Sequence, residues 1–217
     1  MIEIKEQTIQ KLQKIASNIV SDFNFDLNNS AIYFHQKAIE CCSNDDFLTD
    51  RHIEYTYATL ATWGMDSQSA KLPPFAQFRK AIIDNIEQIE ELRKYRIEDT
   101  SEQDLNKILP KLSKLCFNGI DATMGKTKIV SGSKTLAHIL PNLVCPMDNR
   151  YTLVFFKEDA KGLGYEKKFQ YIIKSMWEFY QIADKSRIKI GTPFSLSYPK
   201  YFDNLILLNG GKKCKNK

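Results

Sequence analysis

No stretch of this sequence approaches the roughly eighteen uncharged apolar residues that a membrane-crossing helix requires. Its opening residues set Glu3, Lys5, Glu6, Lys11 and Lys14 among the apolar positions, unlike the unbroken apolar segment of a secretory signal. A membrane protein is excluded on this reading, and a cytoplasmic one is expected. Cysteine occurs five times (Cys41, Cys42, Cys116, Cys145, Cys214), an odd count without paired spacing, which speaks against a disulfide framework or a structural zinc site. The three histidines, His35, His52 and His138, have no ligand-type partner at i+3 or i+4, so they are read as packing or surface residues and no metal is expected. Alternation of the strand type is nearly absent, and no internal repeat is found.

What is present is helical periodicity in a chain of ordinary globular composition, with 43% hydrophobic and 26% charged residues among 217. A chain of this size buries about 70% of its surface on folding, enough for one large domain or two small ones. Ile9, Leu12, Ile15 and Ile19 trace one stripe, continued to Phe23. Ile32 and Ile39 trace another after the start signal Asn28-Asn29-Ser30. Thr49 or Asp50 caps a third helix that ends at Trp63-Gly64, where glycine permits a left-handed stop. A long helix is expected from Phe75 to Leu92 after Pro73-Pro74, and another from a cap at Thr100 or Ser101 through Leu105, Ile108 and Leu112, with Pro110 able to kink or split it. Residues 133–140 and 148–156 read as short helices. Phe169 to Tyr180 gives the cleanest amphipathic helix, and Tyr201 to Leu208 a last short one. The expected fold is all-α, eight to ten helices in one domain of residues 1–211. A division into two helical halves near 97–100 is left open, and a disordered lysine-rich tail is expected at 212–217.

The formal net charge of +5 is unevenly placed. Four lysines lie in the tail, leaving residues 1–211 at +1. Residues 111–134 carry five lysines against Asp121 alone. A basic patch on a nearly neutral body fits a phosphate backbone, so DNA is the expected partner; a solvated lysine face is the other reading. Most motif-like strings fail. Gly119 to Thr127 is one residue too long for a phosphate-binding loop and follows a helix where that motif needs a strand. Ser131-Gly132-Ser133-Lys134 matches the Ser-x-x-Lys of serine acyl-enzymes without its companion strings. Cys41 and Cys42 are read as buried or idle thiols.

One segment survives. If Ser131 caps a helix, Gly132 lets a phosphate approach the first-turn amides, and Lys134 places an amine at the positive helix end, where its affinity for a proton is reduced. Asp148, after Pro146-Met147, is placed as the cap of the next helix, its carboxylate ionised and fixed.

The strings Trp63-Gly64-Met65-Asp66, Ala70-Lys71-Leu72, Ser133-Lys134-Thr135-Leu136, Leu140-Pro141 and Pro146-Met147-Asp148 resemble a family of prokaryotic helical proteins without an assigned activity. Gly132-x-Lys134-Thr135-x-Ala137 with Pro146-x-Asp148 also resembles, over about twenty residues, the helix-hairpin-helix DNA glycosylases. Val130 stands where the hairpin's first glycine belongs, the fourteen residues from Lys134 to Asp148 are fewer than usual there, and no four-cysteine cluster is present. That resemblance implies an all-α, two-lobed enzyme that flips a damaged base and cleaves its glycosidic bond without a cofactor. It implies Lys134 as amine nucleophile and Asp148 as carboxylate. Lys126, Lys128 and the hairpin amides of Ser131, Gly132 and Ser133 would hold the DNA backbone. The alternative is a non-enzymatic helical scaffold that binds nucleic acid or a protein partner.

Overall fold

Local start and stop signals set most of the helix ends. The computed structural model describes residues 2–17, 29–65, 72–120, 128–191 and 195–213, with side chains in the last stretch as far as 208. Ten α-helices and no strand occur among them. α1 (Glu6–Ser17) follows the first stripe; its expected continuation to Phe23 lies outside the described residues. α2 (Ser30–Cys41) starts at Asn29, whose side chain accepts the Ala31 N–H at 2.9 Å. α3 (Asp50–Leu60) runs into a π-helical turn, Ala61–Met65, that closes at Gly64 with φ +77, the expected left-handed stop. α6 (Glu102–Lys114) starts at Ser101, which accepts the Asp104 N–H.

Four expectations need correction. The helix expected over 148–156 is confined to α8 (Thr152–Phe155), after a turn at 149–151. The stripe from Phe75 to Leu92 is two helices, α4 (Phe75–Ile83) and α5 (Ile86–Leu92). Between them Asn85 donates its side-chain amide to the Ala81 carbonyl at 2.8 Å, replacing the backbone bond that would continue the helix. Pro110 does not split α6, because Leu105, Ile108, Leu109 and Leu112 bury one face while the proline ring lies on the exposed side. The last helix, α10 (Tyr198–Lys213), starts earlier and ends later than expected. Ser197 Oγ accepts the Lys200 N–H and Pro199 falls in the first turn, where its missing N–H does no harm. α10 carries the chain two residues into the lysine tail; the rest of the tail lies outside the described residues.

α7 (Lys128–Ile139) occupies the centre and packs on α2, α3, α9 (Tyr165–Ile182) and the π-helical turn Leu115–Ile120 that extends α6. α1 lies across α9 and α10, and the short α8 (Thr152–Phe155) on α10. One apolar cluster runs from Leu12 through Phe78, Leu112, Leu136, Phe169 and Met176 to Ile206. The segment near 97–100 is pinned on both sides. Ile97 N–H donates to Asn142 O at 2.8 Å, Trp177 Nε1 to Thr100 O at 2.8 Å and Lys185 Nζ to Glu98 O at 2.9 Å. No helix among the described residues is long and apolar enough to cross a membrane.

Candidate functional site: a buried amine beneath Trp63

Every residue of α7 after Lys128 is buried. Its close seating depends on Gly132, where a Cβ would lie 2.6 Å from both the Cys116 carbonyl oxygen and its Sγ. The small polar residues satisfy themselves within the helix. Ser133 Oγ donates to Val130 O at 3.2 Å, and Thr135 Oγ1 to Ser131 O at 3.0 Å. Ser133 Oγ also accepts the Met147 N–H at 3.0 Å, which folds the 140–148 connection back onto the helix. This geometry corrects the hairpin expectation. The helix starts at Lys128, so Ser131 is not its cap, and Gly132 serves a helix contact rather than a phosphate. Ser131, Gly132 and Ser133 are enclosed and unavailable to a DNA backbone. Lys128 is exposed; Lys126 lies outside the described residues.

Lys134 is the unusual member of this helix. It is 9% exposed, and its amine lies 5.6 Å from the centre of the Trp63 indole. It makes no hydrogen bond or ion pair among the described residues. Burial pushes its pKa below the ordinary lysine value; the charges of Asp148 and Asp203 oppose that shift and Lys200 adds to it. Lys200 Nζ lies 5.4 Å from the centre of the same indole and donates to Asp203 Oδ2 at 2.5 Å, both side chains being buried. Burial pushes the Asp203 carboxyl up, with Lys200 pulling it down. Asp148, half-buried, accepts the Arg150 and Tyr151 N–H groups on Oδ1, each at 2.7 Å, and so caps the turn that leads into α8. Its Oδ2 makes no hydrogen bond among the described residues.

The histidines complete the enclosure. His138 Nδ1 faces the Lys134 carbonyl at 2.7 Å and must donate, which leaves Nε2 as the acceptor for His35 Nδ1 at 3.0 Å. His52 Nε2 donates to the His138 carbonyl at 3.0 Å and its Nδ1 accepts the Leu48 N–H at 3.1 Å. Burial pushes His138 down to about 3 and His35 and His52 below their ordinary value, so all three are neutral at pH 7. The His35 and His138 rings lie 5.6 and 4.9 Å from the indole. A narrow crevice lined by His35, Trp63, Pro146, Leu196, Ser197 and Lys200 adjoins them. Cys42 donates to the His138 carbonyl at 3.0 Å, and burial pushes its thiol pKa up, away from thiolate chemistry. Among the described residues no cluster of histidine, cysteine and carboxylate side chains is arranged to hold a metal.

The structure therefore brings Lys134 within electrostatic reach of Asp148, and adds Trp63, Lys200 and Asp203, which sequence reasoning missed. A signal existed: Lys200 and Asp203 stand one turn apart, the first directly before and the second within the run Tyr201, Phe202, Leu205, Ile206. No protein-family model, curated protein sequence or solved structure matches the chain.

Proposed function

We propose that this protein is a DNA-processing enzyme of glycosylase or lyase type that works through the Lys134 amine. The observation that carries the reading is a nearly buried lysine that has no ion-pair partner among the described residues, held under an indole with two aspartates in reach. An ordinary structural lysine keeps its head in water or pairs it; one whose proton affinity is reduced by burial is a better nucleophile at neutral pH. In the reaction the Lys134 nitrogen lone pair forms a bond to the sugar C1′ while the glycosidic bond breaks, its electron pair leaving with the base. The proton released from the nitrogen passes to a carboxylate or water, and the Asp148 charge stabilises the cationic sugar. The nitrogen lone pair then opens the sugar ring, the C1′–O4′ electron pair going to O4′, which takes a proton, and the resulting iminium is the species that borohydride reduces. Lys128, with Lys126, supplies backbone contacts whose strength falls with salt.

The test is incubation with duplexes that carry uracil, 8-oxoguanine, alkylated bases or an abasic site, with borohydride reduction to trap a lysine adduct. The wild type is expected to form the adduct at Lys134, Lys134→Ala to lose it by about a thousandfold or more, and Asp148→Asn to be slowed strongly while remaining folded. A wild type that releases no base and traps no adduct on the panel overturns the reading. The two backbone bonds on Asp148 Oδ1 then favour the second one, a helical scaffold in which that residue is a cap and nothing more.

A further inference from the structure

We propose that Asp203 is a second carboxylate of the Lys134 site, held in place and in its charged form by Lys200 one turn earlier on α10. The catalytic part of this rests on Lys134 being the working amine; the electrostatic arrangement does not.

Asp203 and Lys200 are 5% and 4% exposed and 2.5 Å apart. A charged pair buried among apolar residues forfeits hydration worth several kcal/mol per ion, which its own attraction offsets only in part. A pair of structural importance alone could face any part of the core. This one faces the site: Lys200 lies against the indole that covers Lys134, and Asp203 feels the charges of Lys134 and Asp148 as well as that of Lys200. The reciprocal holds for Lys134, on which Asp148, Asp203 and Lys200 all act. Four charged groups from α7, the turn at Asp148 and α10 thus form one cluster, with the neutral rings of His35 and His138 packed against the same indole.

The two carboxylates differ in use. Asp148 is half-buried and spends one oxygen on backbone N–H groups, whereas Asp203 is enclosed, where a charge acts through a lower dielectric. As positive charge grows on the Lys134 nitrogen, Asp203 is placed to stabilise it without rearrangement, and so acts on the reaction through Lys134. Asp203 is a positioning residue, and Lys200 supplies the charge that opposes the protonation burial favours.

The test is carbon NMR of the full chain, with lysine Cε and aspartate Cγ labelled. In the wild type Asp203 is expected to be ionised at pH 7 and its carboxyl resonance to move as Lys134 titrates. Lys200→Met should let Asp203 take up a proton at neutral pH, and Lys200→Arg should not. Asp203→Asn should lower the Lys134 midpoint by about one pH unit and slow adduct formation through kcat rather than KM. A protonated Asp203 in the wild type at pH 7, or an unmoved Lys134 midpoint in folded Asp203→Asn, overturns the proposal. Should Asp203→Asn fail to fold, the wild-type and Lys200 measurements decide it alone. A wild type that traps no adduct removes the enzyme reading and leaves the NMR result standing.

Discussion

Two lysines of similar burial lead opposite lives in this molecule. Lys174, on α9, is 6% exposed, but its amine donates to the Ile2 carbonyl at 2.9 Å and has Glu178 at 3.9 Å one turn on. Around it the seam between α1 and α9 is tied by ordinary pairs: Lys11 to the enclosed Asp159 at 2.9 Å, and Thr8 to the Tyr171 hydroxyl at 3.0 Å. Lys134 has an indole where Lys174 has a carbonyl, and the nearby carboxylates are already engaged, Asp203 by Lys200 and Asp148 by two backbone N–H groups. Burial is common to both sites and marks neither. The absence of a bonded partner among the described residues separates a lysine that stitches two helices from one whose amine is available for chemistry.

The sharpest way to break the comparison is acid, because all three histidines lie on the Lys134 side. His138 falls to about 3 when folded against an ordinary 6.5, so between these values the unfolded chain binds more protons than the folded one. Stability therefore rises with pH across that window; it is fully present above about 6.5 and lost as pH falls towards 3. Denaturant unfolding from pH 7 to 4 should show a loss on the order of a few kcal/mol, shared with His35 and His52, which shift in the same direction. Hydrogen exchange at the acid end should open α2, α3 and α7 before the α1 to α9 seam. Histidine resonances that titrate near 6.5 would show that the enclosure is wet.

A smaller perturbation moves α7 without touching a charge. Gly132→Ala puts a methyl group against the Cys116 carbonyl, a backbone atom that cannot swing aside, and the overlap outweighs the roughly 1 kcal/mol that alanine gains in helix propensity. A net loss of about 1 to 3 kcal/mol is expected by chemical denaturation, with the Lys134 titration displaced and Lys174 undisturbed.

Gly132 also shows where sequence reading fails. The string Ser131-Gly132-Ser133 carries the residue types of a cap and a tight turn, and locally nothing distinguishes the two uses. Tertiary packing decides: α7 needs one bare position to seat against Cys116, and its serines bond back along the helix. Signals at exposed ends survived, as at Asn29, Gly64 and Ser101, because there the side chain itself satisfies the backbone or permits the turn. Asp148 was legible as a carboxylate that holds backbone N–H groups, although these belong to the turn before α8, whose own N-cap is Tyr151, and Lys134 was legible as an amine worth singling out. The reason given for Lys134 was wrong in kind: its proton affinity is lowered chiefly by burial, in the middle of a longer helix. Lys200 and Asp203 are not marked by the sequence because the expected last helix starts at Tyr201, and only the fold reveals that the first turn of α10 meets Trp63.

The smallest expected effect is also the one that tests the comparison most directly, since the same substitution should have opposite signs at the two lysines. Lys174→Met removes a bonded amine and leaves the Ile2 carbonyl without its donor, so a loss of about 1 kcal/mol is expected. Lys134→Met removes an amine with no bonded partner among the described residues and keeps the stem that packs beneath Trp63, so stability should rise by about 1 kcal/mol at neutral pH. The gain should also depend on pH. Because the folded-state pKa of Lys134 lies below the 10.5 of an ordinary lysine, the unfolded chain binds more protons between the two values. Wild-type stability therefore climbs with pH across that window, and the advantage of Lys134→Met shrinks to little by the time the amine is neutral in both states. Urea unfolding of the two variants and the wild type from pH 7 to 10 reads both effects. If Lys134→Met is destabilised as much as Lys174→Met, Lys134 has a partner after all, and the contrast between the two sites collapses.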